Sequence, residues 1–204
     1  MNIDVIIAFC LFGFATSITP GPNNIMLLAS GMNFGVKRTM PHILGITAGF
    51  FSLVYLVGTV LGALFLKYEL LHQVLRLSGA AYLCYLAWDL AMSQPSSPSK
   101  SVEECRRPME PWQAATFQWI NPKAWIMAIG ATSTYLPAEA DQLQILWLAI
   151  SFALINLPCA LTWTILGQHL RRMIQSPVGL KRFNRTMAAL LLASLGPLLI
   201  EALE

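Results

Sequence analysis

The sequence predicts an all-α membrane protein: six transmembrane helices forming two inverted three-helix repeats, with helices 1 and 4 interrupted. Three observations lead there. Charged residues are 11% of the 204-residue chain and hydrophobic ones 56%, where a soluble domain carries about 25% charged residues. Long uncharged runs alternate with polar or basic connections. Proline-containing polar clusters then interrupt the first and the fourth of those runs.

A helical span needs roughly 20 apolar residues to cross a hydrocarbon core of about 30 Å. The spans fall at about 4–30, 42–66, 70–92, 112–136, 143–167 and 184–203. The first opens a stretch, Val5 to Val36, without Asp, Glu, Lys or Arg. Met1 to Asp4 lacks the basic n-region of a secretory signal, so this run reads as a retained span. The second and fifth are clearest, because Thr39–Leu66 and Gln142–Leu170 are free of charge. The third is shorter in its uncharged part, Leu77–Trp88, so Arg76 and Asp89 are expected near helix ends, reaching outward. The sixth closes on Glu201 and Glu204.

Orientation follows from the cations. Lys37, Arg38, Lys100, Arg106, Arg107, Arg171, Arg172, Lys181, Arg182 and Arg185 fall in the connections between spans 1 and 2, 3 and 4, and 5 and 6. The opposite face has Lys67 and Arg76. Such a bias places both termini away from the cytoplasm. The Ser- and Pro-rich stretch 93–111 reads as a linker. It divides a single integral membrane domain, 1–204, into repeat 1 (about 1–92) and repeat 2 (about 112–204). An odd number of spans per half makes the second half enter the membrane from the other side, as in inverted-repeat transporters.

The first interruption is "TSITPGPNNIML", Thr16 to Leu27. Pro20 and Pro22 have no amide hydrogen, so a helix through them would leave the carbonyls of Thr16 and Ile18 without donors. Gly21 between them is expected to take backbone angles that other residues avoid. Pro22 suits the first turn of a new helix, and Asn23 and Asn24 bring amide groups to that turn. The N-terminus of such a half-helix favours a carboxylate. The second interruption is "QWINPKAWIM", Gln118 to Met127. Pro122 frees the carbonyl of Gln118, Asn121 is placed as an N-cap, and Lys123 is the one cation deep within a span. A lysine there costs roughly 2.5–3.5 kcal/mol on insertion scales, so it should not face lipid. Two interrupted helices in corresponding halves point to a midplane substrate site. The candidate substrate-binding residues are therefore Pro20, Gly21, Pro22, Asn23, Asn24, Asn121, Pro122 and Lys123. Lys123 would either attract a carboxylate or titrate to couple protons, and the sequence leaves both roles open.

"TPGPNN" in span 1 and "INPKAW" in span 4 resemble the lysine exporter (LysE/RhtB) family of amino-acid efflux transporters. "SGAAYLCYLAW" in span 3 and Trp163 in span 5 also fit, and "TPGPNN" looks nearest the cysteine/O-acetylserine exporter branch. The resemblance implies six spans in a bacterial inner membrane. It also implies export of small amino acids or close derivatives, and coupling to an ion gradient, with the proton as the expected ion. Asp89 departs from the basic residue usual after the span-3 tryptophan, and Ala188 from the usual glycine of span 6; substrate choice stays open.

Other patterns give smaller expectations. Gly45-xxx-Gly49 and Gly58-xxx-Gly62 suit close helix packing within the monomer, with a homodimer seam as the other use of such spacing. Tyr82, Tyr85 and Trp88 suit an interfacial belt or a cavity wall. Asn156, before Pro158, is a third polar candidate, expected to make a local hydrogen bond beside the kink. His42, His72 and His169 are expected near span ends. The basic stretch from Arg171 to Arg185 should meet anionic lipid headgroups rather than nucleic acid. No cofactor or metal is expected, since Cys10, Cys84, Cys105 and Cys159 have no CxxC spacing and no zinc-like cluster. An enzyme is not expected: GxxxxGK[ST], GxSxG, HExxH and paired intramembrane carboxylates are all missing from the sequence. A channel is the main alternative, because broken helices also line pores. A thiol-disulfide electron carrier is disfavoured, since Cys10 has no partner in span 4.

Overall fold

Local sequence signals start and stop each helix of the computed structural model, which describes residues 3–61, 69–92, 107–137, 139–174 and 176–193. Helix α1 runs Ile3–Ile18 and α2 Pro22–Phe34, bent by 57° at the break between them. Gly35 takes φ 80°, a left-handed angle that favours glycine, and turns the chain within one residue into α3, Val36–Leu56. A π-helical turn, Val57–Leu61, extends α3. Helix α4 is Glu69–Ala91. Helix α5, Pro111–Ile120, has proline in its first turn, and Gln113 reaches back to the Glu110 amide at 3.0 Å. Helix α6, Pro122–Tyr135, follows the single residue Asn121. Helix α7, Gln142–Met173, opens with a reciprocal capping box, Gln144 N donating to Asp141 Oδ1 at 2.7 Å and Asp141 N to Gln144 Oε1 at 3.1 Å. Helix α8 is Pro177–Ala193. Among the described residues there is no strand.

The all-α expectation holds. Among the described residues, two helical stretches, Val36–Val60 and Gln142–Met173, are long and apolar enough to cross a membrane, and the bent α1–α2 pair makes a third if it is one span. Alone, α5 and α6, of 10 and 14 residues, are too short. The expected calls on Lys67, Lys100, Cys105, Arg106, most of the linker and 194–204 lie outside the described residues, as do the side chains of His72 and Arg76.

Polarity is turned inside out. Gln118, Asn121, Thr164 and Asn184 are buried, while Ile3, Leu11, Ile126 and Leu154 are each more than 60% exposed. That is the pattern of a chain whose outer solvent is lipid. Phe9, Phe50 and Phe152 form an aromatic core, with Phe152 4.8 Å from Phe50 and 5.6 Å from Phe9 between ring centroids. The α1–α2 pair runs parallel to α7: Phe9 meets Phe152, Ser17 meets Asn156, and the Val36 amide reaches Gln168 Oε1 at 2.7 Å. Helix α3 runs parallel to α5 and α6, with Gly45 against Pro111, Gly49 against Ala115 and Gly58 near Thr132. Gly45 and Gly49 thus serve packing within the chain, while Gly62 lies outside the described residues. Helix α4 packs on α8.

Helix bounds differ from the sequence expectation on the basic side. The first connection shrinks to Gly35, so Lys37 and Arg38 lie exposed in the first turn of α3, and Pro41 falls inside that helix. Helix α7 runs on through Arg171 and Arg172, whose charges complement its C-terminal dipole. Helix α8 starts before residue 184. It buries Asn184, Met187, Ala188 and Leu191 at helical spacing and exposes Lys181, Arg182 and Arg185. Charge marks where a helix meets water, not where it ends, because long basic side chains extend outward from the helix. His42 also departs from expectation. It is 2% exposed inside α3, and neither ring nitrogen has a hydrogen-bond partner among the described residues. His169, on α7, is exposed.

Candidate functional site

The two breaks meet. Each frees backbone carbonyls, and in hydrocarbon each would cost several kcal/mol unless satisfied. Thr16 O accepts from Thr19 Oγ1 at 2.9 Å, and Ile18 O accepts from Trp163 Nε1 of α7 at 3.0 Å. Asn24 Nδ2 donates to Ser17 O and Thr19 O, both at 2.8 Å. Lys123, at the start of α6, sends its ammonium across to Thr19 O (2.6 Å), Thr19 Oγ1 (2.9 Å) and Pro20 O (3.4 Å). All three acceptors are neutral. The charge is well placed at the carbonyl end of α1, and among the described residues no carboxylate pairs with it.

At the second break, Asn121 caps α6, its Oδ1 accepting from Lys123 N at 3.2 Å. Gln118 O receives only a long bond from Asn121 N, 3.4 Å. Trp125 Nε1 covers Trp119 O at 2.7 Å. Gln118 itself, fully buried, exchanges amide hydrogen bonds with Asn23, at 2.8 and 3.1 Å. Asn23 therefore ties α2 to α5.

Gly21 is needed for a different reason from the one its sequence context suggests. Its φ of −173° and ψ of 177° are extended backbone that any residue adopts. What a side chain there would meet is Lys123: a Cβ would lie 2.7 Å from its Cδ and 3.1 Å from Nζ, so the lysine would have to move from its present course. Gly21 also offers no side chain to cap α2, so the first amides of α2, at Asn23 and Asn24, start the helix without a side-chain cap.

Between the breaks lies a cavity of about 20 Å³, room for about one water molecule. Of the expected site residues, Gly21, Asn23, Asn24, Asn121 and Lys123 line it. Pro20, Pro22 and Pro122 do not, and act through the backbone they interrupt. Thr16, Ser17, Phe50, Ala124, Met127 and Asn156 complete the wall. Sequence reasoning missed Thr19, Ser17 and Gln118 as participants, although all three stand within a turn of a break. Asn156 does not make the expected local bond; its Nδ2 donates across to Ser17 Oγ at 3.3 Å. Tyr82 packs against Phe117 at 5.5 Å, away from the cavity wall, and Tyr85 and Trp88 are exposed. Among the described cysteines, Cys10 and Cys84 are exposed and Cys159 is buried, all as free thiols.

The profile of the LysE type translocator family matches residues 14–202. A cysteine/O-acetylserine efflux protein of Klebsiella pneumoniae subsp. pneumoniae is 31% identical over 192 residues, 94% of this chain and 95% of its own length. Proteins of the same description from Escherichia coli (strain K12) and Shigella sonnei are each 26% identical over 176 residues, 86% of this chain and 88% of theirs. No solved structure matches. With the match running from the first broken helix to near the end of the chain, the chain belongs to the LysE type translocator family.

Proposed function

We propose that this protein is a secondary transporter that exports small amino acids or close derivatives from the bacterial cytoplasm, driven by a proton gradient. The observation that carries the reading is the uncancelled Lys123 ammonium beside the cavity where the two breaks meet. Together with the uncapped amides of α2, it offers a carboxylate one charge and two donors. The family and the efflux relatives supply the direction of transport and the substrate class.

Six spans in two inverted repeats form the framework of this reading. Exchanging spans 1, 2 and 3 with 4, 5 and 6 turns the pairing of α1–α2 with α7 into the pairing of α5–α6 with α3. Both pairings run parallel, which supports the exchange. It leaves the pairing of α4 with α8 unchanged. The cavity of about 20 Å³ is too small for an amino acid, so this reading requires the two breaks to part when substrate enters.

Proteoliposome transport of an amino-acid panel, with and without an imposed pH gradient, tests the function. Saturable uptake into inverted vesicles, accelerated by the gradient, is expected. Unsaturable conductance would mean a channel. Orientation is tested by thiol labelling in intact cells. Cys105 should be protected from an impermeant reagent and a cysteine added after Glu204 should react; equal reaction of both would overturn the six-span path.

A further inference from the structure

Among the described residues, Asn156 is the cavity-lining side chain with a buried polar atom that has no hydrogen-bond partner. Its Nδ2 donates to Ser17 Oγ, but its Oδ1 is buried and has no partner among the described residues. A buried amide oxygen left without a donor is destabilising, and here it belongs to a residue that lines the cavity. The neighbouring polar groups are already committed. Asn23 exchanges bonds with Gln118, Asn24 gives both amide hydrogens to backbone carbonyls, and Lys123 makes three bonds to the rim of the break. What remains for a ligand is the charge of Lys123 and the uncapped N-terminus of α2 on one side, and an acceptor without a donor on α7. An α-amino acid bears the complementary pair, a carboxylate and an ammonium on one carbon.

We propose that Asn156 Oδ1, with Ser17 Oγ beside it, binds the α-ammonium of the transported amino acid, so that the cavity is a two-pole site for zwitterions. The inference rests on the reading of this cavity as the substrate site. Charge then sets the substrate class. Lys123 is the one formal charge among the lining residues, and none of them is a carboxylate. A zwitterion adds no net charge beside Lys123. A substrate with a second cation on its side chain would meet it unpaired. Phe50, Ala124 and Met127 give the side chain an apolar wall. The class is small α-amino acids with uncharged side chains.

The test uses the full-length protein in proteoliposomes, with labelled cysteine under reductant as the transported probe. Two competitors each keep one pole: cysteamine has the ammonium alone, and 3-mercaptopropionate the carboxylate alone. Asn156→Ala should raise the half-inhibitory concentration of cysteamine about tenfold and leave that of 3-mercaptopropionate unchanged. Asn156→Asp, nearly isosteric and a better acceptor, should hold cysteamine at least as tightly as the wild type. It keeps the test decisive if the alanine variant fails to fold. Loss of cysteamine inhibition in Asn156→Asp overturns the proposal, because Asn156 would then face the substrate as a donor. Equal effects of Asn156→Ala on both competitors, or none on either, also overturn it. Lys123→Met separates this inference from the parent reading, since it should weaken 3-mercaptopropionate and spare cysteamine. If it does not, while Asn156 behaves as expected, the carboxylate pole falls and the ammonium pole stands. Wild-type liposomes insensitive to both competitors overturn both.

Discussion

Lys123→Met loses export while the protein still reaches the membrane at normal levels. Methionine matches the length of the lysine stem and suits an apolar setting, so packing against Gly21 survives. At the break, Thr19 O keeps its bond from Asn24, while Thr19 Oγ1 and Pro20 O lose theirs at exposed positions. Substrate binding loses its one charge-assisted partner, about 2 kcal/mol or roughly 30-fold in apparent affinity. Lys123→Arg should rescue poorly for two reasons. A guanidinium does not readily release a proton, and its planar fork has to be placed beside Gly21, where the lysine stem now lies. Initial export rates against cysteine concentration, normalised to membrane abundance, measure the effect. Normal kinetics in Lys123→Met would move the site away from the breaks.

Gly31→Leu and Gly167→Leu unfold the protein. A Cβ on Gly31 would collide with the backbone of Thr164, and one on Gly167 with the backbone of Leu28 and Met32. Backbone cannot step aside as a flexible side chain can, so α2 and α7 would have to separate along their crossing. That undoes the Trp163 bond to Ile18 O and the Gln168 bond to the Val36 amide. The cost exceeds the ~3 kcal/mol usual for overpacking. Gly130→Ala is the control: its Cβ would meet only the tip of Phe12, at 3.3 Å. Monodispersity after detergent extraction should collapse for the two leucine variants and persist for the control.

The breaks were legible in the sequence because proline's missing amide is a local property, and it names the carbonyls it orphans. Thr16 O and Ile18 O are indeed the ones that find other donors. The donors were not legible. Trp163, Lys123 and Gln118 lie many residues from α1 and α2, and only tertiary packing brings them there. Gly21 shows the same division: the sequence marked it as special, but its reason is the approach of Lys123 and not its own backbone angles. Gly31 stands four residues before Gly35, a spacing the sequence reading passed over, and Gly167 gave no signal because Trp163 and Arg171 stand four residues to either side. The single-residue turn at Gly35 was missed because Lys37 and Arg38 looked like loop and are helix.

The repair of the first break has a consequence for biogenesis. Asn24 and Thr19 are synthesised with α1 and α2 and can bind Ser17 O, Thr19 O and Thr16 O at once. Trp163 and Lys123, which cover Ile18 O, Pro20 O and the rest of Thr19 O, emerge from the ribosome more than 80 residues after Pro22. Until then the nascent first span carries bare carbonyls that lipid cannot satisfy. It must wait in a wet environment, within the insertion machinery or beside it, and its release into the bilayer is tied to the arrival of the second half. The N-terminal half alone is therefore not a stable unit, and a chain cut in the 93–111 linker should yield its two pieces only when both are made together.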